Sequence, residues 1–139
     1  DGDARHRTVV DKRIGKPSLT EFRNIGSCGP YSWIEAKPKT GRTHQIRVHL
    51  YANGLQIVCD PLYGGNQKPV RLSEIKRRWN GDDTEERPLL SRLALHAYRI
   101  SFSHPKTGKQ VTFEAPYPKD MEATRKQLSK IFGTDPLSL

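Results

Sequence analysis

Long apolar runs and recognisable cysteine patterns are missing from the sequence. No stretch approaches the roughly 20 apolar residues that a membrane-spanning helix needs, and no signal-peptide pattern opens the chain. We therefore expect a soluble, cytoplasmic protein with no membrane partner. Cys28 and Cys59 have no CxxC spacing and no neighbouring histidines, so neither a disulfide framework nor a zinc site is indicated. Free thiols are the expectation.

A leading methionine is also missing. The chain begins at Asp1, and its single methionine is Met121. A chain without an initiator residue has been processed, cut or shortened. We therefore expect this sequence to be part of a longer protein.

Hydrophobic residues are few for the length of the chain. They make up 34% of the 139 residues, and the mean hydropathy is −0.76. A chain of this size forms one domain or part of one, and so modest a core leaves little stability in reserve. The composition favours a chain that packs against a partner surface.

Acidic residues are the minority among the charges. Lys and Arg number 24 against 15 Asp and Glu, so the formal net charge is +9. Such an excess favours a polyanionic partner, and nucleic acid is the commonest one. Basic proteins have many functions, however, so charge alone indicates this partner only weakly.

Turn residues separate two predicted β-hairpins. Residues 19–25 and 31–37 have strand-like composition and are joined by Gly26-Ser27-Cys28-Gly29-Pro30. Residues 92–103 and 110–115 form a second pair around HPKTGK, in which Gly108 suits a left-handed turn position. Their alternation predicts one buried face for this hairpin. That face consists of Ile100, Phe102, Val111 and Phe113.

The stretch KTGRTHQIRVHL, residues 39–50, fits either a strand or a helix. With a period of two, Ile46, Val48 and Leu50 share one face of a strand. Thr43 is a suitable N-cap for a helix, and Asn53-Gly54 is a typical helix exit. These flanking signals favour the helix. Residues 55–59 follow as a predicted short strand that Asp60-Pro61 ends.

The remaining segments complete an α+β prediction. Residues 64–92 have the character of an insertion, a long loop with one short basic helix in LSEIKRRW. KDMEATRKQLSKIFG has an acidic start and basic later turns, which predicts a C-terminal helix ended by Gly133. Residues 1–18 resemble a strand fragment in a connecting arm. We expect a mostly antiparallel or mixed sheet, built from both hairpins and residues 55–59, with helices packed against it.

Three polar side chains of the predicted helix share one side. His44, Arg47 and Tyr51 follow helical spacing and could line a pocket. An arginine on a packed helix suits the pairing of a carboxylate, because its guanidinium stays charged and offers a planar fork. A surface helix with solvated cations explains the same spacing.

Three longer motifs carry a family resemblance. TGRTHQIRVHL, GLQIVCDPLYGG and LALHAYRISFSHPKTGKQVTFEAP occur in this order between about residues 19 and 121. Together they resemble the C-terminal half of the catalytic domain of RluA-type pseudouridine synthases, which isomerise uridine in ribosomal and transfer RNA. The resemblance implies an RNA partner and a target uridine flipped out of the RNA. An aspartate then attacks the nucleotide, and the uracil is detached and turned, without metal or cofactor.

The resemblance also assigns site residues. In the family pattern the arginine of the HQIR motif pairs with the nucleophilic aspartate, so Arg47 is the implied catalytic residue, and such pairing would keep a carboxylate ionised and aimed. Leu95 and His96 could equally be a core leucine and a satisfied histidine, and Tyr63 is expected to pack. The residues implied for substrate binding are Arg42, His44, Gln45, Leu95 and His96.

The family's nucleophile is missing. It lies in a motif resembling His-Arg-Leu-Asp, followed by a stacking tyrosine, and neither occurs in this sequence. Asp60 belongs to the DPLYGG motif instead. We therefore expect residues 1–139 to be a C-terminal piece of a pseudouridine synthase catalytic domain, inactive without the N-terminal half as its partner. A non-catalytic RNA-binding module that kept the fold is the alternative, and a protein-interaction domain is a third.

Two further expectations concern single features. The family usually has glycine at the position of Cys59, so a side chain there is expected to crowd the backbone or shift the pocket wall. Basic residues near the HQIR motif and in the insertion predict phosphate contacts, although each could be a solvated surface charge. They are Lys37, Lys39, Arg71, Lys76, Arg77 and Arg78. Trp79 is expected to cover the insertion's small core.

Overall fold

The α+β prediction is confirmed. A computed structural model describes residues 6–11, as backbone, and residues 17–63, 68–76 and 86–137. The strands are β1 (His6–Asp11), β2 (Ser18–Cys28), β3 (Tyr31–Pro38), β4 (Arg99–Ser103) and β5 (Gln110–Glu114). The helices are α1 (Gln45–Ala52), α2 (Leu72–Ile75) and α3 (Lys119–Phe132).

The first three strands form one antiparallel sheet in the order β1-β2-β3. The predicted first hairpin is confirmed, but its strands run further, because β2 continues through a bulge at Asn24/Gly26 and pairs Cys28 with Tyr31. The turn is only Gly29-Pro30, and Gly29 has φ 60°. This left-handed conformation is one that glycine adopts without steric cost.

The prediction of a single sheet containing both hairpins is wrong. β4 and β5 pair as a separate two-stranded sheet, and residues 55–59 form no strand. Positive φ angles at Gly54 (75°) and Cys59 (61°) bound that segment and prevent extended pairing across it. The second hairpin is also shorter than predicted, since β4 begins only at Arg99 and residues 92–98 are irregular.

The predicted insertion is tied into the core at both ends. Val70 and Leu90 pair through an isolated antiparallel bridge, and their side chains are 6% and 4% exposed. The short helix is a single turn, α2, that ends before Lys76. The prediction of a basic helix is therefore wrong for its described part. Arg77, Arg78 and Trp79 lie outside the described residues.

Two apolar clusters hold the described elements together. One joins the insertion to α3 and the other packs α1 on the first sheet, which positions the candidate site. The first contains Cys59, Val70, Leu90 and Met121, and the second contains Phe22, Leu50 and Ile57.

The C-terminal helix α3 is confirmed together with its glycine cap. Asp120 and Glu122 occupy its first turn, where negative charge complements the helix dipole, and Gly133 ends it with φ 74°. The chain then returns to the first hairpin. A Cβ on Gly26 would collide with the backbone of Pro136, and one on Gly29 with the ring of Phe132. Glycine at these positions permits the contact.

The apolar face of β4–β5 is exposed, so the prediction of a buried face is wrong for this chain. Ile100 lies opposite Phe113 and Phe102 opposite Val111, which places the four side chains on one face as predicted. Ile100 and Phe113 are each 60% exposed, and Phe102 is 41% exposed. The pattern is correct, but the described residues supply nothing that covers it.

No helix in the described part of the chain is long and apolar enough to cross a membrane.

Candidate functional site

The helix α1 begins one residue later than predicted. Its N-cap is His44, in a left-handed conformation with φ 52° and ψ 26°, rather than Thr43. The helix itself and its exit at Asn53-Gly54 are confirmed. A hydrogen bond from the backbone N–H of Arg42 to Oε1 of Gln45 (3.0 Å) fixes the approach to the helix.

A buried polar network anchors α1 to β2. Gln45 donates from Nε2 to the Leu19 carbonyl (2.9 Å) and to Oγ1 of Thr20 (2.8 Å). His49 is 2% exposed, and its ring nitrogens meet Oγ1 of Thr20 at 2.8 Å and Oγ of Ser18 at 3.0 Å. Both side chains are held within the protein. Gln45 therefore positions the Arg42 loop, while its predicted contact with substrate stays a prediction.

Arg47 forms a two-point ion pair with Asp60. Nε of Arg47 lies 2.9 Å from Oδ2 and Nη2 lies 2.7 Å from Oδ1. The Asp60 side chain is fully buried and that of Arg47 is 12% exposed. The sequence led us to expect only an absent nucleophilic aspartate as the partner of Arg47, whereas Asp60 is a partner within the chain. A buried carboxylate needs a cation, and the signal in the sequence was an aspartate in an otherwise apolar segment soon after the helix.

The turn that follows Asp60 fixes its carboxylate independently of Arg47. Oδ1 accepts hydrogen bonds from the backbone N–H groups of Leu62 (2.9 Å) and Tyr63 (3.1 Å). The bond from Arg47 and these N–H groups outweigh burial and hold the pKa of the Asp60 carboxyl well below its usual range. The bond to Asp60 in turn raises the pKa of Arg47. Asp60 is therefore ionised at neutral pH.

Aromatic side chains cover one face of the ion pair. The Cζ atom of Arg47 lies 5.1 Å from the ring centre of Tyr63, a cation–π arrangement. The hydroxyl of Tyr63 shares a hydrogen bond with Nδ1 of His44 (2.9 Å), and Tyr51 lies at 6.3 Å from Tyr63, ring centre to ring centre. His44, Arg47 and Tyr51 thus share one side of α1, as the helical spacing predicts.

The LALHA residues lie in irregular chain before β4. Leu95 is partly buried and packs against the cluster of Phe22, Leu50 and Ile57. Nε2 of His96 lies 3.1 Å from the Ala115 carbonyl and donates to it. These contacts fit the alternative of a core leucine and a satisfied histidine. Substrate contact by Arg42, which is exposed, and by His44, Leu95 and His96 stays a prediction.

Three of the four described basic residues of the predicted RNA surface have nearby acidic or carbonyl groups. Lys37 lies 3.7 Å from Glu35, and Lys39 lies 3.7 Å from Glu21. Arg71 donates to the Glu86 carbonyl at 3.3 Å. Exposed pairs of this kind are weak, so these cations can exchange their partners for phosphate. No cluster of three or more His, Cys, Asp or Glu with metal-binding geometry occurs among the described residues.

The backbone conformation at Cys59 explains why the family usually has glycine at this position, and this reason differs from the predicted crowding. Its φ of 61° lies in the left-handed region, which glycine adopts readily and other residues adopt at a cost. Its side chain is buried, with Sγ 3.6 Å from the carbonyls of Lys68 and Leu90. Burial raises the pKa of this thiol. Cys28 and Cys59 are both free, as expected.

Comparison with known proteins supports the resemblance to pseudouridine synthases separately from the geometry of the site. Residues 2–52 match the family model described as RNA pseudouridylate synthase. The chain is 40% identical over 119 residues to the ribosomal large subunit pseudouridine synthase D of Neisseria meningitidis serogroup B, covering 84% of this chain and 29% of that protein. It is 36% identical over 128 residues to an uncharacterized RNA pseudouridine synthase of Bacillus subtilis, covering 92% and 35%.

A further relative shows the same pattern. An uncharacterized RNA pseudouridine synthase of Chloroflexus aurantiacus is 37% identical over 114 residues, with 82% of this chain and 30% of that protein covered. The chain thus spans only about a third of the length of these relatives, from 29% to 35%.

Proposed function

The chain belongs to the RNA pseudouridine synthase family, as its resemblance to the RluA-type enzymes predicts, and we propose that it acts in isomerising uridine to pseudouridine in RNA. Ribosomal RNA is the proposed substrate, because relatives such as that of Neisseria meningitidis are named for the ribosomal large subunit. Transfer RNA is a second candidate from the family resemblance. The cytoplasm is the proposed location.

Arg47 is the observation that carries the proposal. It lies on α1, is clamped between a buried carboxylate and an aromatic ring, and belongs to the HQIR motif in which the family has its catalytic arginine. In this proposal a nucleophilic aspartate from outside the 139 residues pairs with it. The absence of a His-Arg-Leu-Asp motif and the greater length of the relatives support an outside source.

Retention of Arg47 does not by itself separate an enzyme from an RNA-binding module that kept the fold. Asp60 supplies Arg47 with a partner inside the chain, so the arginine has a structural reason to be present. The relatives favour the enzyme, since they are named as synthases. An activity assay decides between the two.

The assay is release of tritium from RNA that carries 5-tritiated uridine. C5 replaces N1 as the atom bound to the sugar, so the isotope on C5 is lost to water. We expect the full-length gene product to release tritium and residues 1–139 alone to release none. Arg47→Met should lower the rate at least about 100-fold, whereas Arg92→Met, which removes an exposed arginine paired with Asp120, should not. An inactive full-length product would leave RNA binding as the function.

RNA binding has its own test. The net charge of +9 and the exposed Lys37 and Lys39 support phosphate contacts near the site. Lys37→Gln/Lys39→Gln should reduce the slope of log affinity against log salt by about 2. The matched control is Lys106→Gln/Lys109→Gln, an equal charge change in the β4–β5 turn. Equal slopes for the two double variants would show that Lys37 and Lys39 do not contact the RNA.

We further propose that the rest of the catalytic domain covers the apolar face of β4–β5. Its support is the exposure of Ile100 and Phe113 together with the length of the relatives. The isolated chain should bind the apolar dye ANS strongly and the full-length product weakly. In the full-length product, Ile100→Ser/Phe113→Ser should weaken the packing on this face, so that the dye binds the apolar surface that the hairpin no longer covers. The polar-face control Ser101→Ala/Thr112→Ala should leave dye binding weak. Equal dye binding by the two wild-type forms would contradict the proposal.

A further inference from the structure

The outer face of α3 carries a row of lysines. Lys119, Lys126 and Lys130 are exposed, and Ala123 lies exposed between the first two. Because an α-helix turns by about 100° per residue, these four positions fall within a sector of about 60°. The buried side chains of α3 occupy the opposite side of the helix. They are Met121, Thr124 and Leu128. The lysine row, defined as Lys119, Lys126 and Lys130, therefore faces away from the core from the first turn to the last.

The acidic side chains of α3 are bound by arginines. Asp120 forms a two-point pair with Arg92. Glu122 pairs with Arg125, which also reaches Asp135 at 2.6 Å just beyond the helix. Among the described residues, the ion pairs of α3 involve these side chains and none of the lysines. The lysine row thus presents three positive charges that no carboxylate of the described residues binds directly.

The dimensions of the row suit a polyanion with regularly repeated charges. It is about 16 Å long, from the rise of 1.5 Å per residue in an α-helix, and Lys126 and Lys130 are one turn apart. The small side chain of Ala123 leaves the space between the first and second lysines open. A lysine ammonium is a point charge on a flexible stem and binds phosphate oxygens without a fixed orientation. Such a row fits a nucleic-acid backbone and makes no demand on base sequence.

We propose that the lysine row of α3 binds the phosphate backbone of the RNA outside the target nucleotide. The inference rests on the proposed function, which takes RNA as the substrate. The first turn of α3 lies beside the LALHA segment, because Arg92, the partner of Asp120, directly precedes that segment. The row adds phosphate contacts on a different element from Lys37 and Lys39, and it holds the RNA without reading its sequence.

The test measures RNA binding by the full-length gene product at several salt concentrations, with a duplex RNA of arbitrary sequence as the probe. Each lost phosphate contact lowers the slope of log affinity against log salt by about one. Lys126→Gln/Lys130→Gln should therefore lower the slope by about 2. Between about 50 and 200 mM salt, the wild type should lose about 10-fold more affinity than this variant. Adding Lys119→Gln should lower the slope by about one more.

Two further variants control for the charge change. Lys106→Gln/Lys109→Gln removes two exposed lysines from the β4–β5 turn and should keep the wild-type slope. Lys126→Arg/Lys130→Arg retains both charges and should keep it as well. Glutamine is a good helix former, so we expect the α3 variants to fold, which thermal denaturation checks. Equal slopes for Lys126→Gln/Lys130→Gln and Lys106→Gln/Lys109→Gln would overturn the inference and leave an acidic protein surface as the partner of the row.

Tritium release separates this inference from the proposed function. In the full-length product, Lys126→Gln/Lys130→Gln should raise KM and leave kcat unchanged, because contacts far from the reacting atoms stabilise the bound RNA and the transition state equally. A fall in kcat at unchanged KM would contradict the inference. An inactive wild type whose binding still depends on the lysine row would overturn the proposed function alone. An active wild type with equal slopes would overturn only the inference.

Discussion

The site around α1 and the β4–β5 hairpin reverse the usual distribution of polar and apolar groups. Under α1, the polar side chains Gln45, His49 and Asp60 are buried, and each has hydrogen-bond partners. On the hairpin, the apolar side chains of Ile100 and Phe113 are exposed. Buried polar groups are stable only when they are paired, whereas large exposed apolar patches mark surfaces for association.

The two regions differ in whether their buried or apolar groups have packing partners within the described residues. The buried polar side chains under α1 all find their hydrogen-bond partners within the described residues. The hairpin has a correct amphipathic pattern but no layer to pack against, and a two-stranded sheet is marginal without one. The four predictions below test this contrast, beginning with the largest expected effect.

The same kind of truncation should have unequal costs in the two regions. Leu50 in α1 is 7% exposed and Ile100 in β4 is 60% exposed. Leu50→Ala should lower the free energy of unfolding of the chain by about 3 kcal/mol, because it leaves a cavity. Ile100→Ala should cost no more than about 1 kcal/mol. Urea denaturation measures both, and equal losses would mean that the hairpin face is buried in solution.

The buried polar network should also show coupling. His49→Leu keeps much of the side-chain volume but removes the partner of the Ser18 hydroxyl and one partner of Thr20, so we expect a loss of about 2 kcal/mol. Ser18→Ala should then cost less in the His49→Leu background than in the wild type, because its hydroxyl is already unpaired. Additive losses in the double-mutant cycle would contradict the network.

The pH dependence of stability should reveal the ion pair. The folded pKa of Asp60 lies below its unfolded value, so the unfolded state binds more protons as pH falls below about 4. The contribution of Asp60 is present above that pH and is lost as pH falls through the folded pKa. Between about pH 4 and 2, Asp60→Asn should reduce the slope of unfolding free energy against pH. The reduction should correspond to up to about one bound proton. Asp120→Asn controls for removal of a surface carboxylate, and an unchanged slope in Asp60→Asn would contradict the pairing.

The smallest expected effect concerns Cys59. Cys59→Ala loses the buried sulfur but keeps the left-handed conformation, so it should lower the free energy of unfolding by about 1 kcal/mol. Cys59→Gly relieves a left-handed residue of about 1 kcal/mol of strain and should be at least as stable as Cys59→Ala. At an ordinary position the glycine variant would be the weaker one. That ordinary ranking, found by thermal or urea denaturation, would show that φ at this position is not positive.

Local signals in the sequence predicted several elements well. Both hairpins follow from glycine and proline at the turns, and α3 follows from its acidic start and Gly133. The choice of a helix for α1 also held, because Asn53-Gly54 is a stop signal that does not depend on tertiary contacts. Such signals lie within a few residues of the element that they define.

Features that depend on distant contacts were not predictable in the same way. The strand expected at residues 55–59 had the right composition, but the left-handed Cys59 interrupts it. The Arg47–Asp60 pair joins residues of two motifs that were interpreted separately. Burial of the β4–β5 face was inferred from alternation, which predicts which side chains share a face and says nothing of what covers that face. The catalytic assignments themselves remain predictions.

The contact of the C-terminal segment with the first hairpin has a consequence for the order of folding. Pro136 and Phe132 pack on Gly26 and Gly29, near the opposite end of the chain. Closing so long a loop costs more entropy than forming either hairpin, whose contacts are local. We therefore expect the hairpins to form early and this contact to form late. A bulky residue at Gly26 should then speed unfolding while leaving the rate of folding nearly unchanged.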